Sequence, residues 1–201
     1  MNRFFRNVRM YRIHSQWPGT EEALSEVLEN AAFKPCGAFS ERSGGFELPV
    51  TGAGDLLARR VSGADLLQLR IQTRVLPAAA VQEALAVRIE SFKQRTHTEP
   101  NRAEKRDLKD EVYSELLPQA LLKSDRVQAI MLPQEGVLIV GSASKTVADY
   151  FMDALKRAMV TFQYAPVAFK TPPQDMIKRL FMGSASEHFR MGRECRMRDP
   201  A

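Results

Sequence analysis

The sequence predicts an α+β fold, a mainly antiparallel sheet with packed helices and a projecting helical hairpin. Three observations predict it. Apolar segments punctuated by glycine and proline alternate with helical patterns in the order strand, helix, strands, two helices, hairpin, helix, strand, helix. Residues 65–75 alternate cleanly, with Leu67, Leu69, Ile71 and Thr73 set against Gln68, Arg70, Gln72 and Arg74, as a half-buried strand requires. Residues 76–122 change to a three- and four-residue apolar period in two runs separated by a polar break. The chain divides accordingly into an N-terminal α/β part (1–75), a projecting helical hairpin (76–122) and a C-terminal α/β part (123–201).

Residues 4–13 read as an extended strand carrying Arg3, Arg6, Arg9 and Arg12 at or beside it every third residue. That spacing puts the arginines on both faces, so edge or rim positions suit them better than a coherent basic stripe. Trp17-Pro18-Gly19 is a turn, and Thr20 followed by Glu21 and Glu22 starts a helix with Leu24, Val27, Leu28 and Ala31 on one face. Residues 38–75, broken by Gly44, Gly45, Pro49, Gly52, Gly54 and Gly63, read as a hairpin or meander. Arg70 and Arg74 share one strand face, which reads as the solvent-facing side of an antiparallel sheet.

In the first helix of the hairpin, Pro77 stands at the start, where a missing N–H is harmless, and Val81, Leu85, Ile89 and Phe92 form the apolar stripe. Glu99-Pro100 forces the helix to end by about residue 98. Asn101 caps the second helix, whose stripe is Leu108, Val112 and Leu116, and Pro118 ends it. Between Arg88 and Lys109 lie seven basic residues, Arg88, Lys93, Arg95, Arg102, Lys105, Arg106 and Lys109, against four acids, Glu90, Glu99, Glu104 and Asp107. This excess suits contact with phosphates without reading bases, and it also suits a merely solvated helix surface.

Residues 127–132 and 136–140 form a hairpin about Pro133-Gln134-Glu135-Gly136. GSASK at 141–145 follows a strand and precedes a helix, but it lacks GxxxxGK[ST], so Ser142 or Ser144 is read as a helix cap. A helix follows over 145–160. After Pro166, Pro172 and Pro173 another helix opens at Asp175, and the tail beyond Gly183 carries Arg190, Arg193, Arg196 and Arg198.

Composition narrows the function. The 201 residues are 44% hydrophobic and 26% charged with a formal net charge of +5, an ordinary globular balance leaning mildly towards polyanionic partners. No apolar run reaches the length of a membrane span and no signal-peptide core is present, which predicts cytoplasmic residence. Cys36 and Cys195 form no ligand pair, so Cys36 is expected to be a small buried residue near a turn. His14, His97 and His188 lie in unrelated contexts, with no zinc, nuclease or serine-hydrolase pattern, and neither GSAS is a nucleophile elbow. The expectation is a non-enzyme without cofactor or metal.

VLPAAAVQEALAVRI at 75–89 with LKDEVYSELLPQAL at 108–121 resembles a segment of the bacterial recombination-associated RdgC family. FFRNVRMYRI at 4–13, AAFKPCGA at 31–38, GVLIVGSASKTVADYFMDALKRAM at 136–159 and GSASEHFRMGRECRMRDP at 183–200 are similar to the family's successive blocks in order. The resemblance implies a ring-shaped homodimer whose positive hole encircles duplex DNA without sequence preference and so restrains RecA-driven recombination, in association with the nucleoid. It implies that the hairpin is a finger touching its twofold mate through Leu117 and Leu121. Leu121 replaces the phenylalanine of the family's LLPxAF block. Family members run about half as long again, so the family's last third is expected to be missing and an open clamp or a different dimer is compatible with the sequence. Arg88, Lys93, Arg95, Arg102, Lys105, Arg106 and Lys109, with Arg70 and Arg74 on the strand, are the candidate DNA contacts. The rival reading is a protein-interaction module that binds a recombinase, a defence protein or a full-length RdgC subunit without gripping DNA.

Overall fold

The computed structural model describes residues 5–50 and 54–183. It divides into two units, residues 1–166 and 167–201. The first holds β1 (Arg9–Ile13), α1 (Glu21–Glu29), β2 (Arg42–Glu47), β3 (Ala58–Val61), β4 (Ala64–Val75), α2 (Ala78–Thr96), α3 (Arg102–Leu116), a 3-10 turn (Leu117–Gln119), β5 (Leu121–Leu132), β6 (Val137–Val140), α4 (Lys145–Ala158) and β7 (Tyr164–Pro166). The second holds α5 (Pro173–Phe181), whose Met176, Ile177 and Phe181 are exposed.

All seven strands join one sheet, in the order β2-β4-β5-β6-β1-β7 with β3 also on β4, and every pairing between strands is antiparallel. The α+β prediction therefore holds. β4 and β5 pair along eleven positions from Asp65–Met131 to Val75–Leu121, so the helical hairpin is in effect the loop of one long β-hairpin. That connectivity makes α2 and α3 a finger springing from the end of the sheet.

The core lies on one face. Leu67, Leu69 and Ile71 of β4, Val127, Ala129 and Met131 of β5, and Leu138 and Val140 of β6 are buried with Leu24 and Leu28 of α1 and Phe151, Met152 and Leu155 of α4. Phe46 and Phe151 meet edge to face at 5.6 Å, and complete burial of each ring is worth roughly 1.5–3 kcal/mol. Thr20 caps α1 through the Ala23 amide, and Ser144 caps α4 through the Val147 amide, as the sequence predicts. Residues 31–33 run beside β2, with Phe33 N–H donating to Phe46 O and Phe46 N–H to Ala31 O. A Cβ on Gly45 would fall 2.5 Å from Ala32 backbone atoms, which is why glycine stands there.

Several expectations change. The first strand covers Arg9–Ile13 instead of 4–13, and residues 1–4 lie outside the described part. Of the hairpin or meander expected over 38–75, the hairpin is present, β3 and β4 pairing antiparallel about the Ser62-Gly63 turn; β2 does not extend it into a meander but pairs end to end with β3 on the same edge of β4, because β5 fills the other edge. Pro77 is the N-cap of α2, where its missing N–H is harmless as expected. The finger ends at Gln119, since Leu121 already pairs with Val75, so β5 starts six residues before the predicted strand. The polar run LKSDR concealed this extension. Leu117, not Leu116, is the buried residue closing α3's apolar face, because the 3-10 turn tightens the helix there. α4 starts at Lys145 as expected but ends at Ala158, two residues before the predicted end, and α5 covers Pro173–Phe181, opening two residues before Asp175. The basic tail, His188 and Cys195 lie outside the described residues, whereas Cys36 is buried as predicted.

Candidate nucleic-acid interface

The finger is held by local chemistry more than by bulk. Along α2 only Val81 is buried, while Leu85, Ile89 and Phe92 are half-buried; α3 buries Leu108 and Val112. Arg88 of α2 pairs with Glu115 of α3 at 2.5 Å. At the tip His97 adopts φ 53°, a left-handed C-cap that lets the chain turn, and Asn101 with Glu104 forms a capping box on α3.

Arg74 anchors the finger at its root. Its Nη1 donates to Leu117 O (3.2 Å), Pro118 O (3.0 Å) and Ala120 O (3.2 Å), and its Nε donates to Gly37 O (3.1 Å). Leu117 O also accepts the Ala120 N–H of the 3-10 turn, whereas Pro118 O and Ala120 O lie past the end of α3, so one guanidinium gathers the carbonyls where the helix stops. Tyr113 adds a second tie: burial and a hydrogen bond to the Glu41 carboxylate push its phenol up from the ordinary value. A position read from the sequence as a phosphate contact is thus a structural clamp, and the proposed contacts below omit Arg74.

The remaining cations separate into engaged and free. Lys93 pairs with Glu99 at 2.8 Å; the hydrogen bond raises the Lys93 ammonium and lowers the Glu99 carboxyl from their ordinary values, with the Lys105 charge also lowering Glu99. Among the described residues Arg95, Arg102, Lys105, Arg106 and Lys109 have no ion-pair partner, and all five are exposed. Four of them stand at positions i, i+3, i+4 and i+7 of α3. At about 100° per residue these fall within an arc of roughly 100°. Asp107, Asp110 and Glu111 fall outside that arc, so α3 carries a basic side and an acidic side. Arg102 and Lys105 also lie in the first turn of α3, where a positive charge opposes the helix dipole by roughly 0.3–1 kcal/mol. The four-residue pattern was readable in the sequence; the pairing that removes Arg88 and Lys93 from the free set was not.

On the sheet face opposite the core, Arg70 and Arg126 stand directly opposite each other across β4 and β5. The Arg70 guanidinium lies 4.5 Å from the Phe33 ring centre, donates to Ser124 Oγ and faces Glu47 at 3.7 Å. Glu47 Oε1 accepts from Arg126 Nε at 2.5 Å and from Gln68 Nε2 at 3.0 Å. Sequence reasoning missed Arg126 because it began the strand one residue later. Of the two implied interface residues, Leu117 is 5% exposed and Leu121 is 80% exposed, so only Leu121 offers surface in this conformation. Among the described residues no three His, Cys, Asp or Glu side chains group to hold a metal ion, and no helix is long and apolar enough to cross a membrane.

Residues 3–201 match the family model described as "Putative exonuclease, RdgC". The chain is similar to the Recombination-associated protein RdgC of Shewanella oneidensis, at 27% identity over 199 residues, covering 98% of this chain and 66% of that protein. It is 29% identical to the Stenotrophomonas maltophilia protein of the same name, covering 98% and 65%, and 29% identical to that of Halorhodospira halophila, covering the same shares. The chain thus spans about 66% of the length of the first of these relatives.

Proposed function

The chain belongs to the RdgC family of recombination-associated proteins, and from that membership we propose that it binds double-stranded DNA without regard to sequence, as a dimer, and limits RecA-type recombination by occupying the DNA. The observation that carries the reading is the set of five exposed, unpaired cations on the outer part of the finger, four of them a stripe on α3. Ammonium and guanidinium groups in such a stripe neutralise phosphates and contact no particular base. Arg88 and Lys93 serve mainly to hold the finger together, and Arg70 supports the sheet face.

Counted per protomer of the dimer, here and for each variant, five neutralised phosphates give a slope of log K against log salt near −4.5, a loss of roughly 500-fold between 50 and 200 mM. Titrating a labelled random-sequence duplex at several salt concentrations tests this, and a flat response contradicts it. The reading is non-hydrolytic: labelled duplex incubated with the protein and magnesium is expected to stay intact.

A second reading is favoured by a specific feature at the root of the finger. Val75 (44% exposed) and Leu121 (80%), paired directly across β4 and β5, place apolar side chains together on one sheet face there, with Leu122 (47%) on the other face. Such a patch suits a protein partner, whether a second copy, a full-length relative, a recombinase or a defence protein. A pull-down from nuclease-treated lysate separates the readings, since a DNA-bridged partner is lost and a direct partner is retained.

A further inference from the structure

Two arginines directly opposite each other on neighbouring antiparallel strands repel, and the sheet would be more stable with one of them neutral. Here Arg70 and Arg126 occupy such a pair, and a single carboxylate, Glu47 on β2, serves both. The two differ in what remains available. Arg70 is stacked on Phe33 and bonded to Ser124, so its guanidinium is half-buried and oriented. Arg126 is held through Nε alone, its side chain is 55% exposed, and among the described residues neither of its terminal nitrogens has a partner. A guanidinium latched by Nε and open at both terminal nitrogens is the fork that accepts two oxygens of one phosphate. Beside it a hollow of about 600 Å³ is lined by Glu47, Leu48, Pro49, Gln68, Arg126 and Gln128. Gln128 donates to Gln68, and Gln68 donates to Glu47 and to Leu48 O, so the carboxylate that aims Arg126 is itself fixed.

We infer that the sheet face carries a second, separate anion site, in which Arg126 takes a backbone phosphate of duplex DNA and Glu47 is the positioning residue that aims it. The site lies about 17 Å along β5 from the root of the finger, taking five residues at about 3.3 Å each. It rests on the DNA-binding reading above and adds one phosphate to it, which brings the expected slope to about −5.4.

The test compares salt titrations of a labelled random-sequence duplex for wild type, Arg126→Gln, Glu47→Gln and Glu47→Ala, with thermal unfolding as a check on folding. Arg126→Gln is expected to reduce the magnitude of the slope by about 0.9 and to weaken binding alike on unrelated sequences. Glu47→Gln keeps an acceptor for Arg126 and removes a negative charge, so it is expected to bind at least as tightly as wild type. Glu47→Ala unlatches the fork and is expected to bind more weakly than Glu47→Gln. Wild-type binding with an unchanged slope in Arg126→Gln overturns the sheet site and leaves the finger reading standing. Glu47→Ala binding as tightly as Glu47→Gln overturns the positioning role. Failure of the wild type to bind duplex overturns both readings. Arg126 is exposed enough that its variant folds, so the slope is readable even if a Glu47 variant does not fold.

Discussion

Arg74 shows how far a residue's role depends on what lies opposite it. The sequence placed it with Arg70 on one strand face, and that parity is correct, but no one-dimensional pattern reveals that the finger's last carbonyls return to the same point. Replacing Arg74 by Gln leaves those carbonyls underbonded and is expected to destabilise the domain by about 2 kcal/mol. The loss appears as faster amide exchange over residues 117–126, with protection of the α4 core unchanged. A second buried arrangement was equally invisible in the sequence. Asp65, fully buried, accepts Arg60 Nε (2.6 Å) and Nη2 (2.7 Å) and the Trp17 indole N–H (2.8 Å), and Arg60 also donates to Gly19 O. Arg60→Ala strands that carboxylate, and chemical denaturation is expected to show a loss of about 3–5 kcal/mol. Asp65 was read only as the start of a strand, because a lone acid there normally faces water.

At the level of elements, the legible parts were those with a local cause: the caps at Thr20, Asn101 and Ser144, the break at Glu99-Pro100 and the alternation in β4. The illegible parts were long-range pairings. β5 begins with LLKSDR, which has no strand pattern of its own and is extended because β4 is long enough to pair with it. The finger is the element most exposed to perturbation, since few of its side chains are fully buried. Leu108→Ala removes much of its small core, at about 2–5 kcal/mol. The finger is expected to melt below the sheet, giving two thermal transitions by circular dichroism where the wild type gives one. The Lys93–Glu99 pair limits the charge of the tip. Glu99 lies below its ordinary 4.5, so its share of the pairing is present above pH 4.5 and is lost as pH falls through the depressed value. Lys93 lies above its ordinary 10.5, so its share is present below pH 10.5 and is lost as pH rises through the raised value. Glu99→Gln removes the pairing at neutral pH and frees Lys93. Duplex binding at 50 mM salt is then expected to tighten roughly two- to threefold with a steeper slope.

For the whole molecule, two features bear on function: a sheet whose core face is packed by α1 and α4, and a finger rooted in the hairpin of its two longest strands. Fold class was readable because enough elements, β4, the two finger helices and the β5–β6 hairpin among them, announced themselves by period. The candidate site was readable as a basic segment, but its working subset was not, since ion pairing decides which cations are free. Assembly follows the same logic. With Leu117 covered, a dimer built at the finger root uses Leu121 and its cross-strand partner Val75, and in the proposed dimer Leu121→Asp is expected to shift sedimentation from dimer to monomer without loss of thermal stability. The account's central claim is that the finger grips phosphates through its unpaired cations, and one measurement tests it most directly. It is the slope of log K against log salt for a random-sequence duplex, comparing wild type with Arg102→Gln, Lys105→Gln, Arg106→Gln and Lys109→Gln combined. A wild-type slope steeper than about −4, falling by about 3.6 in the fourfold variant, is the predicted result; a fourfold variant with the wild-type slope would contradict it.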